Sequence, residues 1–170
     1  MYIDQYDFTY NDSGVVMIAN NAINYNSTSS TGTAPGSSDR VYIFDKNVTY
    51  SGTGNKTFDY LFIDEQGSLS YTPPSPKSLT INNDIELGGD LTLGTITSFS
   101  TTNFDIENGA TFDITAADAL SVDNFNIKTG GTATITSATS LTTTDLDVDG
   151  SLTITTTGDI SATDLDMSGT

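Results

Sequence analysis

Apolar residues in the second half of this chain recur in fixed columns. SFSTTNFDIENGATFDIT lies over ALSVDNFNIKTGGTATIT, then over SLTTTDLDVDGSLTIT, then over DISATDLDM. Phe99, Leu120, Leu141 and Ile160 share one column, and Phe104, Phe125, Leu146 and Leu165 a second. Ile106, Ile127, Val148 and Met167 form a third, and every column steps by 21, 21 and 19 residues. Ile114, Ile135 and Ile154 add a fourth. Within each unit the alternation has period two, as in Phe104-x-Ile106 and Phe112-x-Ile114, which marks strands with one buried face. A repeat near 20 residues built from short alternating strands is a solenoid, each coil rising by about one strand spacing, 4.8 Å. The expected fold is therefore all-β: a parallel β-solenoid with coils of about 19–24 residues; solenoids of this type are usually right-handed β-helices, a handedness that the period itself does not give. A leucine-rich repeat has this length but needs a fixed turn Asn and a Leu-rich pattern, and both are missing.

Upstream the pattern loosens but holds. Ile85-x-Leu87 and Leu91-x-Leu93 fall in the paired columns, and Leu61-x-Ile63 and Leu69-x-Tyr71 do so one coil earlier. TPPSPK, residues 72–77, reads as a loop inserted between coils. Gly88–Gly89, Gly109, Gly130–Gly131 and Gly150 fall at corners between paired strands, where unusual backbone angles are needed. The gaps at those corners vary in length (GG, ENGA, KTGGT, DGS).

The start is different. Tyr6, Phe8 and Tyr10 alternate with polar residues, NDSG makes a turn, and VVMIA follows, which predicts a β-hairpin. Residues 1–26 are expected to form this N-terminal hairpin, as a cap or as exchanged strands; an irregular first coil is the alternative. Residues 27–40 read as a Ser/Thr/Gly linker, and residues 41–170 as the solenoid.

Composition narrows the function. The net charge is −17 with five Lys plus Arg, which argues against nucleic acid and anionic membranes. No apolar run approaches the roughly 20 residues of a membrane span. The opening MYIDQYDFTY lacks the features of a signal peptide, so export is expected by another route or after removal of one. Without Cys or His, thiolate metal sites and Ser–His or Cys–His catalysis are impossible. Asp is so abundant that a pair at glycosidase spacing carries little information, and Lys128 is the only basic residue beyond Leu79. The chain is expected not to be an enzyme. The rival is a carbohydrate-active or carbohydrate-binding solenoid, which a groove lined by aromatics and clustered carboxylates would favour.

Two outward ladders flank the Phe104 column: Asn103, Asn124, Asp145, Asp164 on one side and Asp105, Asn126, Asp147, Asp166 on the other. Carboxylates one strand spacing apart repel by roughly 1 kcal/mol in water and about 3–4 at an effective dielectric of 20, whereas stacked Asn amides hydrogen-bond along the column. Two readings stand for Asp145, Asp147, Asp164 and Asp166: a solvated acidic face, or a calcium site. No other cofactor is implied. A second outward array, Asp113, Thr134, Thr153 beside Thr115, Thr136, Thr155, is either ordinary exposed strand or the Thr-x-Thr pattern of an ice-binding face. Asn11, Asn26, Asn47 and Asn55 begin Asn-x-Ser/Thr sequences, meaningful only in a glycosylating secretory route.

Laid out in coils, SLTINNDIELGGDLTL and DVDGSLTITTTGDI over residues 79–170 resemble the repetitive stalks of bacterial β-solenoid adhesins, filamentous-haemagglutinin-like exoproteins and autotransporter passengers. The resemblance implies an extracellular or cell-surface scaffold that meets surface carbohydrate or a host receptor. Because ATDLDMSGT breaks off partway through a coil, head-to-tail assembly into a filament is also expected. In it Tyr6, Phe8, Tyr10 or the strand of Val15 and Val16 would pack on Leu165 and Met167 of a neighbouring copy.

Overall fold

The structure, a computed structural model, describes residues 15–19, 23–25, 37, 38, 40–44, 47–50 and 52–170. Among these, every regular element is a strand, and all pairings are parallel, in a β-solenoid of about 6 turns. Short strands come first: β1 (Val15–Ala19), β2 (Ile23–Tyr25), β3 (Arg40–Phe44), β4 (Asn47–Tyr50), β5 (Lys56–Phe58), β6 (Tyr60–Ile63), β7 (Ser68–Tyr71), β8 (Leu79–Ile81) and β9 (Asp84–Leu87). Four strands of 17 residues follow: β10 (Asp90–Ile106), β11 (Thr111–Ile127), β12 (Thr132–Val148) and β13 (Ser151–Met167).

The long strands wrap the coil. Successive parts of β10 pair with β7, β8 and β9 in turn, so one continuous strand covers three stacked columns. The first column runs β1-β3-β6-β9 and on through the ends of β10 to β13; the second holds β2, β4 and β7, and the third β5 and β8. The register is the one the apolar spacing requires. Phe104 pairs with Phe125, Phe125 with Leu146 and Leu146 with Leu165; Ile106, Ile127, Val148 and Met167 align likewise. Leu61 and Ile63 sit on Ile85 and Leu87, and Leu69 and Tyr71 on Leu91 and Leu93.

Alternation decides what is buried. In β11 and β12 inward residues such as Phe112, Ile114, Ile127, Ile135 and Val148 are all buried. Phe104 stacks on Phe125 at 5.3 Å and meets Phe112 edge-on at 4.7 Å, so aromatic contacts tie two columns together across the interior. Thr101 and Thr143 are the buried polar side chains among the described residues, and both are satisfied: Thr101 donates to the Asn83 carbonyl (2.9 Å) and Thr143 to that of Asp145 (2.7 Å).

Two expectations change. Val15–Ala19 is not detached from the solenoid: Val15 and Val16 lie parallel on Arg40 and Val41, and β2 lies parallel on β4. This stretch is stacked as another coil, which covers a strand edge that would otherwise stay open. Tyr6, Phe8 and Tyr10, and residues 27–36 of the expected linker, lie outside the described residues. Residues 72–77 do form a loop, but it joins the second column to the third, between β7 and β8, at a corner that β10 crosses as continuous strand.

Candidate functional site

The first column carries the chemistry on its outward side, because the inward parity is filled by the core. Read along the stack, one outward row runs Tyr42, Phe62, Glu86, Asp105, Asn126, Asp147, Asp166, each paired with the next. Its character changes twice, from aromatic to acidic and then to a mixed amide and acid ladder.

At the amide end the ladders form as expected. The Asn124 amide donates to Asn103 Oδ1 (2.6 Å), Asn103 donates to the carboxylate of Asp84, and Asn126 donates to Asp105 Oδ1 (2.8 Å). An amide can accept from one neighbour while donating to the next, so the chain of bonds propagates. Ionised carboxylates cannot. Asp145 pairs with Asp164 and Asp147 with Asp166 in register. The Asp147 carboxyl is pushed above its usual range, first by partial desolvation and then by Asp149, Asp166 and Asp145. Among the described residues no three acidic side chains gather closely enough to hold a metal ion, so these four aspartates stand as two stacked pairs. Lys128 bridges Asp105 (3.6 Å) and Glu107, and the Glu107 hydrogen bond is the largest cause that raises its pKa.

At the other end the outward residues are rings. Tyr42 lies 6.3 Å from Phe44, 5.5 Å from Tyr60 and 6.2 Å from Phe62, while Phe44 and Phe62 are 5.4 Å apart. Phe44 keeps 38% of its surface exposed. The Arg40 guanidinium sits 4.7 Å over the Tyr60 ring, and burial first, and then the neighbouring Glu86 carboxylate, raise the pKa of the Tyr60 hydroxyl. Sequence reasoning missed this face, although the signal was there. If Leu61 and Ile63 point inward, then Tyr60 and Phe62 point outward, and RVYIF repeats the parity with Tyr42 and Phe44.

Beside Phe62 the corner opens into a cleft of about 610 Å³ lined by Phe62, Asp64, Glu65, Glu86, Glu107 and Asn108. Loop length makes it. Asp64–Gly67, Glu107–Ala110 and Lys128–Gly131 are four-residue turns closed by hydrogen bonds of 3.0, 3.1 and 2.8 Å, and Gly109 and Gly130 take φ of 84° in them. The coil between the first two turns corners on Gly88 and Gly89 alone. A Cβ on Gly89 would stand 2.2 Å from the Gly67 carbonyl oxygen, so only glycine lets this corner sit so low. The short coil is the floor of the notch and the taller turns are its walls. The same device recurs more shallowly at Asp149–Gly150, where a second hollow of about 340 Å³ opens.

One row of the Thr array is in register, Asp113 pairing with Thr134 and Thr134 with Thr153, whereas Thr115, Thr136 and Thr155 fall outside the paired residues. Asn47 and Asn55 face their stacking neighbours, with Ser68 donating to Asn47 Oδ1 (2.7 Å) and the Ser78 amide to Asn55 Oδ1 (3.1 Å). The first-column outer face is graded from aromatic to acidic, and no helix among the described residues is long and apolar enough to cross a membrane. These features define a β-solenoid with a shaped, charged surface. No protein-family model, curated protein or solved structure matches the chain.

Proposed function

We propose that the chain is a non-enzymatic structural or adhesive β-solenoid of the cell surface or extracellular space, assembling head to tail as a filament subunit. The observation that supports the reading is the apolar row of β13, in register with the buried row of β12. Ile160, Leu165 and Met167 are 50%, 55% and 53% exposed, while Leu141, Leu146 and Val148, paired with them one coil earlier, are at most 4% exposed. Among the described residues β1 and β13 are the two ends of the sheet. The two edges of a parallel stack are complementary, so a strand of another copy laid on β13 would continue the register already used inside the chain. Charge supports the same polarity: four of the five basic residues lie between Arg40 and Lys77, and the later coils are acidic. Electron microscopy of purified chain over a concentration series tests it. Fibres that disappear in Leu165→Glu with Met167→Glu support assembly. A chain that stays monomeric at high concentration overturns it.

One observation favours the second reading, a carbohydrate-binding or carbohydrate-active solenoid: the cleft brings an aromatic ring and four carboxylates together. Release of reducing ends from a panel of acidic and neutral polysaccharides tests the enzymatic form.

A further inference from the structure

We infer that the notch and the aromatic face beside it form a docking site for an arginine-bearing segment of a partner protein. The aromatic face is the starting point. Three outward rings, Tyr42, Phe44 and Phe62, lie side by side on adjacent strands whose inward residues are fully committed to the core. The chain's own Arg40 already lies over the neighbouring Tyr60 ring, itself 5.5 Å from Tyr42, which shows the geometry a guanidinium takes beside this cluster. Aromatic faces attract cations through the ring quadrupole, and guanidinium stacks on them while presenting its donors sideways.

What lies sideways is the notch. Glu65 and Glu86 are exposed at its rim, and Asp64 and Glu107 complete it. Glu107 is engaged by Lys128, and the Asp64 side chain accepts the Gln66 amide at 3.1 Å. The carboxylate best placed against the rings is Glu86, stacked directly on Phe62 in the outward row. The sign of the partner follows from this rim and from the net charge of −17, which attracts cations from a distance. About 610 Å³ falls within the range of sites that enclose a small ligand, and it holds one or two long side chains but no folded element. The walls are hydrogen-bonded turns and the floor is Gly88–Gly89, so the site is formed before the partner arrives. This inference stands apart from head-to-tail assembly, which uses the stack ends.

The test is fluorescence anisotropy with labelled tri-arginine amide and tri-lysine amide peptides at physiological salt, on the monomeric fraction of the full chain. Tri-arginine should bind more tightly than tri-lysine. Phe44→Ala, Phe62→Ala and Glu86→Gln should each weaken tri-arginine binding by about five- to tenfold, the range expected for removing one cation–π or charge-assisted contact. Asp147→Asn with Asp166→Asn, which removes two charges from the same row outside the notch, should change it less than twofold. Phe44 is exposed, so its variant decides the outcome even if Phe62→Ala unfolds. Equal losses in the notch and control variants would reduce the binding to diffuse attraction and overturn the site. Displacement of the peptide by neutral cellohexaose would overturn it in favour of a glycan.

Discussion

The coils before Asp90 and those after it share an interior but not a surface. Inside, Leu61, Ile85, Phe104, Phe125 and Leu146 form one uninterrupted apolar column. Outside, the matching row passes from Tyr42 and Phe62 to Asn126 and Asp147. The corner between second and third columns differs as well: residues 72–77 loop out between β7 and β8, whereas β10 crosses the same corner without a break. The contrast separates two kinds of constraint. Stacking demands an apolar residue at each inward position because its neighbours above and below are already in place. The outward positions and corners have solvent on one side, so they vary and can carry function.

The largest effect should come from attacking what the two regions share. Ile127→Asp places a charge among buried neighbours and should cost several kcal/mol, seen as loss of the cooperative melt or a large fall in Tm. The same substitution at Met167, 53% exposed in the last coil, should change the melt of the monomer little. Equal effects at the two positions would show that the end coil is covered in solution.

Smaller effects should follow at the corners. Gly109 and Gly130 share φ of 84°, but a Cβ on Gly109 meets nothing within 4 Å, whereas one on Gly130 would lie 2.1 Å from Asn108 Oδ1. Both alanine variants should lose about 1–2 kcal/mol from the left-handed backbone, and Gly130→Ala should lose more by displacing Asn108. Urea melts of the two variants measure the difference.

The ladders sharpen the comparison further. Asp145→Asn should let the amide bond to its stacking neighbours as Asn124 does with Asn103, raising stability by a few tenths to about 1 kcal/mol. Asn124→Asp should lower it by a similar amount. The pH dependence follows from Asp147, whose folded pKa is raised. The folded state then holds this proton more tightly than the unfolded chain. The associated stability is fully present below the ordinary carboxylate range and is lost as pH rises through the raised value. Asp147→Asn should flatten the Tm profile in that window. The smallest effect should be that of calcium. Two stacked pairs offer fewer gathered oxygens than the six or more that the ion takes, so chelator at fixed ionic strength should leave Tm unchanged. A clear fall would restore the calcium reading of Asp145, Asp147, Asp164 and Asp166.

Period, register and inward parity were all determined by the sequence, from Leu61 to Met167. A one-residue slip in a parallel stack would turn every buried side chain outward, so the apolar spacing admits one alignment. The ladders followed from that alignment without further information, since residues flanking an inward column must be outward. Three things belonged to the tertiary structure. The fate of Val15–Ala19 depended on whether an open coil edge was within reach, and VVMIA reads equally well as hairpin or coil. The aromatic face depended on adding outward residues from β3 and β6, which are 20 residues apart in sequence and adjacent only once stacked. The notch depended on the difference in height between successive corners. GG, ENGA and KTGGT are legible as turns of unequal length, but a cleft exists only where a short turn lies between two tall ones, and stacking sets that order in space.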